Sequence, residues 1–162
     1  MTQTGARDRA GRLVSLRPVD DGNWRAVADV APRDDQRAYV AALAARYLVL
    51  TARSPVWNSL AVHADEQVVG HVMWGRDPDD GSYWIGGMVV DAAEQGRGVG
   101  RAVMLTLLGR LAARDDCRVV RLSYHPANVA AGRLYASLGF VPTGETEDDE
   151  VVVELAAPAS VG

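Results

Sequence analysis

The chain has 162 residues and a mass of 17.3 kDa, a size typical of one domain with its own hydrophobic core. An apolar fraction of 48% and a charged fraction of 23% exclude a disordered chain, and the single cysteine, Cys117, excludes an internal disulfide. All 17 basic residues are arginines, which excludes mechanisms that need a lysine, and the net charge of −4 disfavours nucleic acid as a partner.

The sequence carries no signal for membrane insertion, export or metal binding. Its apolar runs fall short of the roughly 20 residues that a membrane-spanning helix needs. Residues 1–12 lack the apolar core of a signal peptide, and one cysteine cannot build a cysteine-based zinc site. We therefore expect a cytoplasmic protein without a membrane partner and without a bound metal.

The first half of the chain predicts one strand, two helices and a three-stranded meander. The strand covers residues 14–17, and a short helix begins after Asn23, a residue type that caps helices well. Apolar residues recur at helical spacing over residues 34–50 and predict a longer helix there. The strands of the meander are joined by short turns and cover residues 60–63, 68–74 and 83–90.

The second half alternates helices with strands. Apolar residues lie along one side of a helix from Val99 to Leu111, and a second helix follows Pro126 and stops at Gly139. The strands in this half cover residues 118–124, 140–143 and 151–155. The resulting order, β-α-α-β-β-β-α-β-α-β-β, is typical of an α/β protein (an α+β mixed sheet covered by helices) with one parallel crossover. We expect a single domain over residues 12–156, with flexible ends at residues 1–11 and 157–162.

A glycine-rich loop lies between the strand ending at Val90 and the helix that begins at Val99. Gly96, Gly98 and Gly100 alternate with other residues, and two arginines stand among them. Backbone amides at such a turn form an anion cradle, and the N-terminus of a helix adds partial positive charge. The loop therefore predicts a phosphate or pyrophosphate site, the alternative being a tight turn with glycines for steric reasons alone. The dinucleotide fingerprint and the lysine-containing Walker motif both fail to match.

Two motifs resemble those of the GNAT family of N-acetyltransferases. Gln95-x-x-Gly98-x-Gly100 is similar to the Q/R-x-x-G-x-G/A motif that binds the pyrophosphate of acyl-CoA in that family. The stretch NVAAGRLYASLGF, residues 128–140, is similar to the family's N-x(5)-LYxxxGF signature. The resemblance covers residues 14–155 and implies the GNAT fold, whose element order is the one predicted above.

At a finer level the sequence is similar to the bacterial spermine/spermidine acetyltransferase branch. The similar stretches are LRP at residues 16–18, VGH at residues 69–71 and GFVPTGE at residues 139–145. Gly87 stands where that branch often has an arginine, and Gly86 where some polyamine acetyltransferases carry a carboxylate. These two departures affect the expected amine and leave the acyl-CoA motif intact.

The resemblance implies transfer of an acetyl group from acetyl-CoA to an amine by direct attack. Backbone groups of Met88 and Val90 would pair with the pantetheine arm, and the amide of Val89 or Val90 would donate to the thioester oxygen. Tyr135 aligns with the tyrosine that protonates the departing thiolate, although its apolar helix neighbours also suit a core position. The other implied acetyl-CoA-binding residues are Gln95, Gly96, Arg97, Gly98, Val99, Gly100, Arg101, Asn128 and Arg133.

The residues that handle the amine are less defined. An alkylamine with a pKa of about 10 must lose a proton before it attacks, so a base is expected. The candidate bases are Glu150, Glu145, Asp91, His71 and His125. Trp24 and Glu145 are candidate amine-binding residues, by cation–π contact and by charge. The acidic stretch at residues 145–150 suits a polycation but is equally typical of a solvated hairpin.

The sequence thus predicts an acetyl-CoA-dependent N-acetyltransferase for a small primary amine, with polyamines favoured. One alternative is an acetyltransferase for another amine, such as an antibiotic, an amino acid or a protein N-terminus. The other is an acyl-CoA-binding protein without turnover, which the presence of Tyr135 disfavours. Members of the family often form dimers through their last strands, so the resemblance also implies a homodimer.

Overall fold

A computed structural model describes residues 5–157. It contains β1 (Val14–Pro18), α1 (Trp24–Ala28), α2 (Ala45–Ala52), β2 (Asn58–Ala64), β3 (Gln67–Arg76), β4 (Tyr83–Val90), α3 (Val99–Ala112), β5 (Val119–Tyr124), α4 (Val129–Ser137), β6 (Val141–Glu147) and β7 (Glu150–Ala156). Two short 3₁₀ turns, Asp34–Gln36 and Ala92–Glu94, precede α2 and α3. The predicted order of helices and strands is confirmed.

The seven strands form one mixed sheet in the order β1-β2-β3-β4-β5-β7-β6. Only β4 and β5 pair in parallel, and α3 makes the crossover between them. Every other neighbouring pair is antiparallel. The predicted meander and the predicted parallel crossover are therefore both confirmed.

Two hydrophobic cores cover opposite faces of the sheet. The larger core packs α3 against the sheet through buried residues that include Val103, Leu107 and Leu111, as their helical spacing predicts. Val89 belongs to the smaller core on the side of α1 and α2, whereas Met88 packs on the larger one. Since successive strand residues point to opposite faces, β4 connects both cores at the carboxyl end of the strand.

The predicted long helix over residues 34–50 is wrong. Only its last part is helical, as α2, and the preceding chain takes a 3₁₀ turn and an irregular path. Tertiary hydrogen bonds replace helical ones in this segment. The Ala44 amide donates to the Val30 carbonyl, and the Ala41 amide donates to the hydroxyl of Tyr47. Within residues 39–43, Tyr39 packs beside the His125 ring, with 5.2 Å between ring centroids, and Leu43 is exposed.

The N-terminal segment is hydrogen bonded to the rest of the domain near the start of the described residues. We predicted a flexible end at residues 1–11, but the Ala6 amide donates to Thr106 Oγ1 over 3.1 Å and the Arg9 amide donates to the Arg97 carbonyl over 2.7 Å. At the other end, the Ala157 amide donates to the Arg118 carbonyl. Residues 1–4 and 158–162, the remainder of the predicted ends, lie outside the described residues.

The described part of the chain also bears on membrane insertion, on metal binding and on the reactivity of Cys117. No helix within residues 5–157 has the length and apolar character to cross a bilayer. Over the same residues, no three side chains of the histidine, cysteine or carboxylate type converge as metal ligands. Burial raises the pKa of the Cys117 thiol, which disfavours the nucleophilic thiolate.

Two buried histidines of the sheet predict that the folded protein loses stability in mild acid. Burial lowers the pKa of His63, with a smaller contribution from Arg17, and burial also lowers the pKa of His71. Below the pKa of about 6.5 of an unfolded histidine, the unfolded chain therefore binds more protons than the folded chain. The free energy of unfolding should fall as the pH drops through this value, by about 1.4 kcal/mol for each unit of pKa depression.

Thermal unfolding measured across this pH range checks the expectation. The His63→Leu variant should show a shallower decline because it lacks one of the two groups, and neither ring nitrogen of His63 has a hydrogen-bond partner among residues 5–157. An identical pH dependence in the wild type and in this variant would assign the acid lability to other groups.

Candidate active site

A cavity opens where the two parallel strands separate. β4 and β5 pair only at Tyr83 with Val120 and at Trp84 with Arg121, and they diverge towards their carboxyl ends. A cavity of about 580 Å³ lies in this gap. The two strands thus splay apart beyond Trp84 and Arg121. A crevice at the carboxyl ends of parallel strands is where α/β proteins bind ligands.

Most of the residues predicted to bind acetyl-CoA lie around this cavity. Tyr135 and Glu150, the predicted acid and candidate base, line the same cavity. The predicted acetyl-CoA-binding residues in its lining are Met88, Val89, Val90, Gln95, Gly96, Gly98, Val99, Gly100 and Asn128. The fold therefore brings the glycine loop, the end of β4 and α4 together around one space.

Three of the predicted phosphate-binding arginines are not part of the cavity lining. Arg97 lies 3.5 Å from the carboxylate of Glu94, and Arg101 donates to Ser137 Oγ over 3.1 Å. Arg133 is exposed on α4. All three arginines are exposed.

The two predicted amine-binding residues also lie outside the lining. Trp24 is 42% exposed because α1 buries its opposite side through Val27. Glu145 is exposed on β6, which carries a register shift before Thr146 that changes which side chains face inwards. The aromatic and acidic lining comes instead from Tyr39, Tyr47, Trp57, Trp84, Glu147 and Glu150.

The glycine loop has the backbone geometry of an anion cradle. Gly96 and Gly98 both have a φ of +78°, a conformation that residues with a side chain rarely adopt. Gly98 is the N-cap of α3, and no side chain within residues 5–157 caps that helix end. The first amides of α3 are therefore open to an anion, and the helix dipole favours negative charge there.

Arg9 lies on this loop although sequence reasoning had assigned it to a flexible end. A Cβ atom added to Gly98 would meet Arg9 Cγ at 3.0 Å, so the two residues are in close contact. An ion-pair chain anchors the segment that carries Arg9. Arg12 binds the carboxylate of Asp8 over 2.8 Å and that of Glu94 over 2.7 Å. The aliphatic part of the Arg9 side chain thus packs on the predicted pyrophosphate loop.

Gln95 ties the loop to neighbouring parts of the chain. Its amide nitrogen donates to the Val90 carbonyl over 2.9 Å and to Gln36 Oε1 over 2.6 Å, and Gln36 donates back over 3.0 Å. This reciprocal amide pair connects the 3₁₀ turn before α2 with the end of β4. Gln36 was not predicted as a site residue, because residues 36 and 95 are distant in the sequence.

A β-bulge shapes the wall of the cavity formed by β4. The register with β3 shifts between His71 and Met73, so that Gly87 and Met88 together lie opposite Val72. Gly87 has a φ of +54°, and a Cβ atom there would meet Met73 at 3.1 Å and the Tyr47 ring at 3.2 Å. Both the backbone conformation and the contacts therefore require glycine at this position, where the related branch often has an arginine.

Tyr135 is held in an apolar pocket beside the gap. It is 9% exposed, and its ring packs against Tyr124 at 5.6 Å and against Phe140 at 6.0 Å between centroids. Burial raises the pKa of Tyr135 to about 12, with further contributions from the charge of Glu150 and from Tyr124. Its hydroxyl therefore stays protonated at neutral pH. Tyr135 is also part of the cavity lining.

Asn128 begins the helix that carries Tyr135. Its side-chain oxygen accepts from the Ala131 amide over 3.3 Å, which caps the N-terminus of α4. α4 therefore starts at Val129 rather than at Pro126. The amide nitrogen of the capping side chain is left as a donor at the edge of the cavity.

The candidate bases differ in where the fold places them. Glu150 accepts from Ser123 Oγ over 2.9 Å at the cavity wall. His125 also lines the cavity, and its Nδ1 accepts from the Ala127 amide. His71 is fully buried in the sheet with both ring nitrogens hydrogen bonded, and Asp91 accepts from the Ala31 amide outside the lining. Glu150 and His125 are therefore the two candidates that face the cavity.

Comparison with known proteins identifies the family. Residues 20–140 match the model of the acetyltransferase (GNAT) family. The chain belongs to this family. Among GNAT relatives, it is 25% identical to the spermine/spermidine N(1)-acetyltransferase of Bacillus subtilis strain 168 over 140 residues, which cover 83% of this chain and 91% of the relative. It is 43% identical to the mycothiol acetyltransferase of Streptosporangium roseum over 79 residues, 49% of this chain and 20% of that protein.

Solved GNAT structures share the fold. RimJ of Mycobacterium smegmatis in complex with CoA-disulfide has a TM-score of 0.73 at 19% identity, over 95% of this chain and 86% of that chain. Spermidine N-acetyltransferase from Vibrio cholerae in complex with CoA and spermine has a TM-score of 0.70 at 15% identity, over 89% and 95%. The predicted GNAT fold and the predicted acetyltransferase class are confirmed. The sequence relatives are named for different acceptors.

Proposed function

We propose that this GNAT protein transfers the acetyl group of acetyl-CoA to a primary amine, with a polyamine as the favoured acceptor. The observation that carries the proposal is the single cavity that runs from the glycine loop, along the diverging strands, to a group of aromatic and acidic side chains. One end of this space suits a pyrophosphate and the other suits an organic cation.

The loop and the strand end suit the CoA part of acetyl-CoA. Gly96 and Gly98 expose backbone amides at the N-terminus of α3, where a pyrophosphate would be held. The Asp91 amide donates to the Val69 carbonyl on β3, so the preceding residue, Val90, faces away from β3 and towards the gap. The same alternation turns Met88 to the gap. These two residues would pair with the pantetheine arm like an added strand.

The orientation of the β4 backbone groups indicates which amide can donate a hydrogen bond to the thioester oxygen. Val89 is paired with His71 of β3, which directs its amide into the sheet. The amide of Val90 or of Met88 is therefore the better placed donor to the thioester oxygen, where negative charge develops during attack. A fixed backbone donor in a water-poor gap needs no reorganisation during the reaction.

The proton steps are assigned to Tyr135 and Glu150. The amine nitrogen forms a bond to the acetyl carbon while the carbon–sulfur bond breaks, and the amine proton passes to the Glu150 carboxylate. The Tyr135 hydroxyl hydrogen-bonds to the departing sulfur and supplies its proton. A phenol with a pKa of about 12 is a weak acid, but burial in the same apolar pocket also raises the pKa of a thiol beside it.

The amine end of the cavity supports a cationic acceptor. Tyr47, Trp57 and Trp84 present aromatic rings, and Glu147 and Glu150 add two carboxylates. Ring faces and carboxylates both attract an ammonium group, and a chain with several amines can use them together. The names of the Bacillus and Vibrio relatives, which mention spermine or spermidine, point to the same acceptor class.

The deciding experiment measures release of CoA thiol from acetyl-CoA with a panel of amines. The panel compares the polyamines spermidine, spermine and putrescine with aminoglycosides and short peptides. Turnover restricted to the polyamines would support the proposal in full, and turnover with another amine alone would overturn the acceptor. Tight acetyl-CoA binding with no turnover on any amine would favour the binding protein without catalysis.

Removal of the Arg9 charge should weaken acetyl-CoA binding. Because Arg9 packs on Gly98, the Arg9→Ala variant loses a positive charge beside the pyrophosphate cradle. We expect the dissociation constant to rise by about tenfold at low salt, equivalent to about 1.4 kcal/mol, and by less at high salt because screening weakens the interaction. Isothermal titration calorimetry at two ionic strengths measures both effects.

Arg25→Ala is the matched control for this test. Arg25 lies over the Trp24 ring on α1, outside the cavity lining, and carries the same charge. If both variants changed the affinity equally, the effect would come from the net charge of the protein rather than from Arg9.

A further inference from the structure

His71 is buried behind the acetyl-CoA site and has no role in the chemistry proposed above. It is 0% exposed, and both of its ring nitrogens are hydrogen bonded. Nδ1 lies 2.7 Å from the Gly87 carbonyl oxygen, and Nε2 lies 2.8 Å from Ser59 Oγ. Ser59 Oγ in turn lies 2.7 Å from Thr51 Oγ1 of α2. Three side chains from three elements thus form one chain of hydrogen bonds that ends at the β4 bulge.

The chemistry of these groups sets the direction of every hydrogen bond. The Gly87 carbonyl only accepts, so His71 Nδ1 must carry a proton and donate it. A neutral imidazole then has an acceptor at Nε2, which takes the hydroxyl proton of Ser59. Ser59 has no second proton, so the single hydroxyl proton of Thr51 is donated to Ser59 over 2.7 Å rather than to the Leu48 carbonyl, which lies farther away at 3.2 Å. The chain therefore runs from Thr51 through Ser59 and His71 to Gly87. Burial lowers the pKa of His71, which agrees with a neutral ring.

The backbone conformation of Gly87 in the β4 bulge must be stabilised by contacts with other residues. Glycine adopts positive and negative φ values about equally well, so its φ of +54° is not stabilised by an intrinsic preference. The His71 ring is itself held firmly, because the Tyr47 ring stacks on it at 5.4 Å with an angle of 4° between planes. Tyr47 also lines the amine end of the cavity. The buried His71 ring thus contacts both Gly87, which precedes the proposed pantetheine-binding residues, and Tyr47, at the amine end of the cavity.

We infer that His71 is a positioning residue, which holds the β4 bulge through the Gly87 carbonyl and so directs the Met88 and Val90 amides into the gap. The inference rests on the proposed function, since these amides are the proposed partners of the pantetheine arm and of the thioester oxygen. The assignment extends to Ser59 and Thr51, which continue the chain of hydrogen bonds from Nε2 of His71. None of the three side chains is part of the cavity lining.

Two substitutions separate positioning from simple packing. His71→Asn keeps an amide donor near the place of Nδ1, whereas His71→Leu fills a similar volume without any donor. We expect His71→Leu to lower kcat by about 100-fold, as a displacement of about 1 Å in a reacting group does, while the dissociation constant of CoA changes much less. His71→Asn should recover a large part of kcat. Equal kcat values in the two variants, or wild-type kcat in His71→Leu, would overturn the inference.

His63→Leu is the control for the loss of a buried histidine. His63 is 6% exposed on the neighbouring strand and lies outside the cavity lining. Its substitution should leave kcat unchanged when all variants are assayed well below their melting temperatures. A fall in kcat equal to that of His71→Leu would show that any disturbance of the sheet reduces turnover, and would overturn the special role of His71.

The tautomer of His71 tests the geometry without any substrate. Nitrogen-15 NMR of the labelled wild-type protein should show a neutral ring protonated at Nδ1, and the Ser59→Ala variant should keep this preference because the Gly87 carbonyl still accepts the Nδ1 proton. A proton on Nε2 in the wild type would overturn the inference.

If the amine panel gives no product, the proposed function fails separately. The CoA-induced shift of the Val90 amide resonance, present in the wild type and lost in His71→Leu, then takes the place of kcat as the readout.

Discussion

Replacement of Gly98 with valine should weaken acetyl-CoA binding by at least about 100-fold, equivalent to about 2.7 kcal/mol. Valine is strained at a φ of +78°, and its Cβ would meet Arg9 Cγ at 3.0 Å. The loop must therefore change its backbone conformation, and the amides at the start of α3 lose their common direction. A pyrophosphate held by backbone amides is sensitive to such a change, because no side chain can take their place. Calorimetric titration with acetyl-CoA measures the loss.

Gly144→Val is the matched control. Gly144 has a φ of +85°, and a Cβ atom there meets nothing within 4 Å, so the substitution introduces comparable backbone strain in β6, away from the loop. Both variants should lose about 1–3 kcal/mol of stability from that strain. Only Gly98→Val should lose affinity. If its affinity were unchanged while its stability fell, the glycine loop would not be the pyrophosphate site.

The Tyr135→Phe variant should lower kcat by about 100-fold or more, which is the usual contribution of a positioned acid. The substitution removes one hydroxyl and keeps the ring, which packs against Tyr124 and Phe140. The affinity for acetyl-CoA and the melting temperature should therefore change little. Steady-state kinetics with the best amine of the panel, together with a binding titration, measure the two effects separately. Equal turnover in both proteins would leave Tyr135 as a packing residue.

Tyr83→Phe is the control for this substitution. Tyr83 is 1% exposed, and its hydroxyl donates to the Asp116 carboxylate over 2.6 Å, outside the cavity lining. Loss of this hydroxyl should cost about 1 kcal/mol of stability or somewhat more, because the acceptor is charged, and should leave kcat unchanged. Comparison of the two variants thus distinguishes a hydroxyl that is expected to act in the reaction from one that stabilises the fold.

Short-range patterns in the sequence were sufficient to predict the framework of the site. The periodicity of residues 99–111, the glycines before them and the motif at residues 128–140 each depend on neighbours within a few positions. Helical spacing and glycine conformation are local properties, so α3, the glycine loop and α4 were found where they were predicted. The same patterns carried the family resemblance, which the comparison then confirmed.

Long-range contacts decided the rest. Residues 34–50 have the spacing of a helix, but hydrogen bonds to Val30 and within the segment break it and bring Tyr39 to the cavity. Glu145 lies outside the cavity lining, whereas Glu147 lines the cavity, and the register of β6 with β7 shifts between Pro142 and Thr146. Arg9 reached the loop through ion pairs that join residues 8 and 12 to residue 94.

The sequence by itself therefore determined the family, the order of the elements and the position of the glycine loop. The tertiary structure decided which aromatic and acidic side chains line the cavity, and it brought Ser59, His71 and Gly87 into one hydrogen-bond chain. The physical reason is the range of the interactions. Periodicity and glycine geometry act between neighbours along the chain, whereas the register of a sheet and the place of a bulge depend on strands that are distant in sequence.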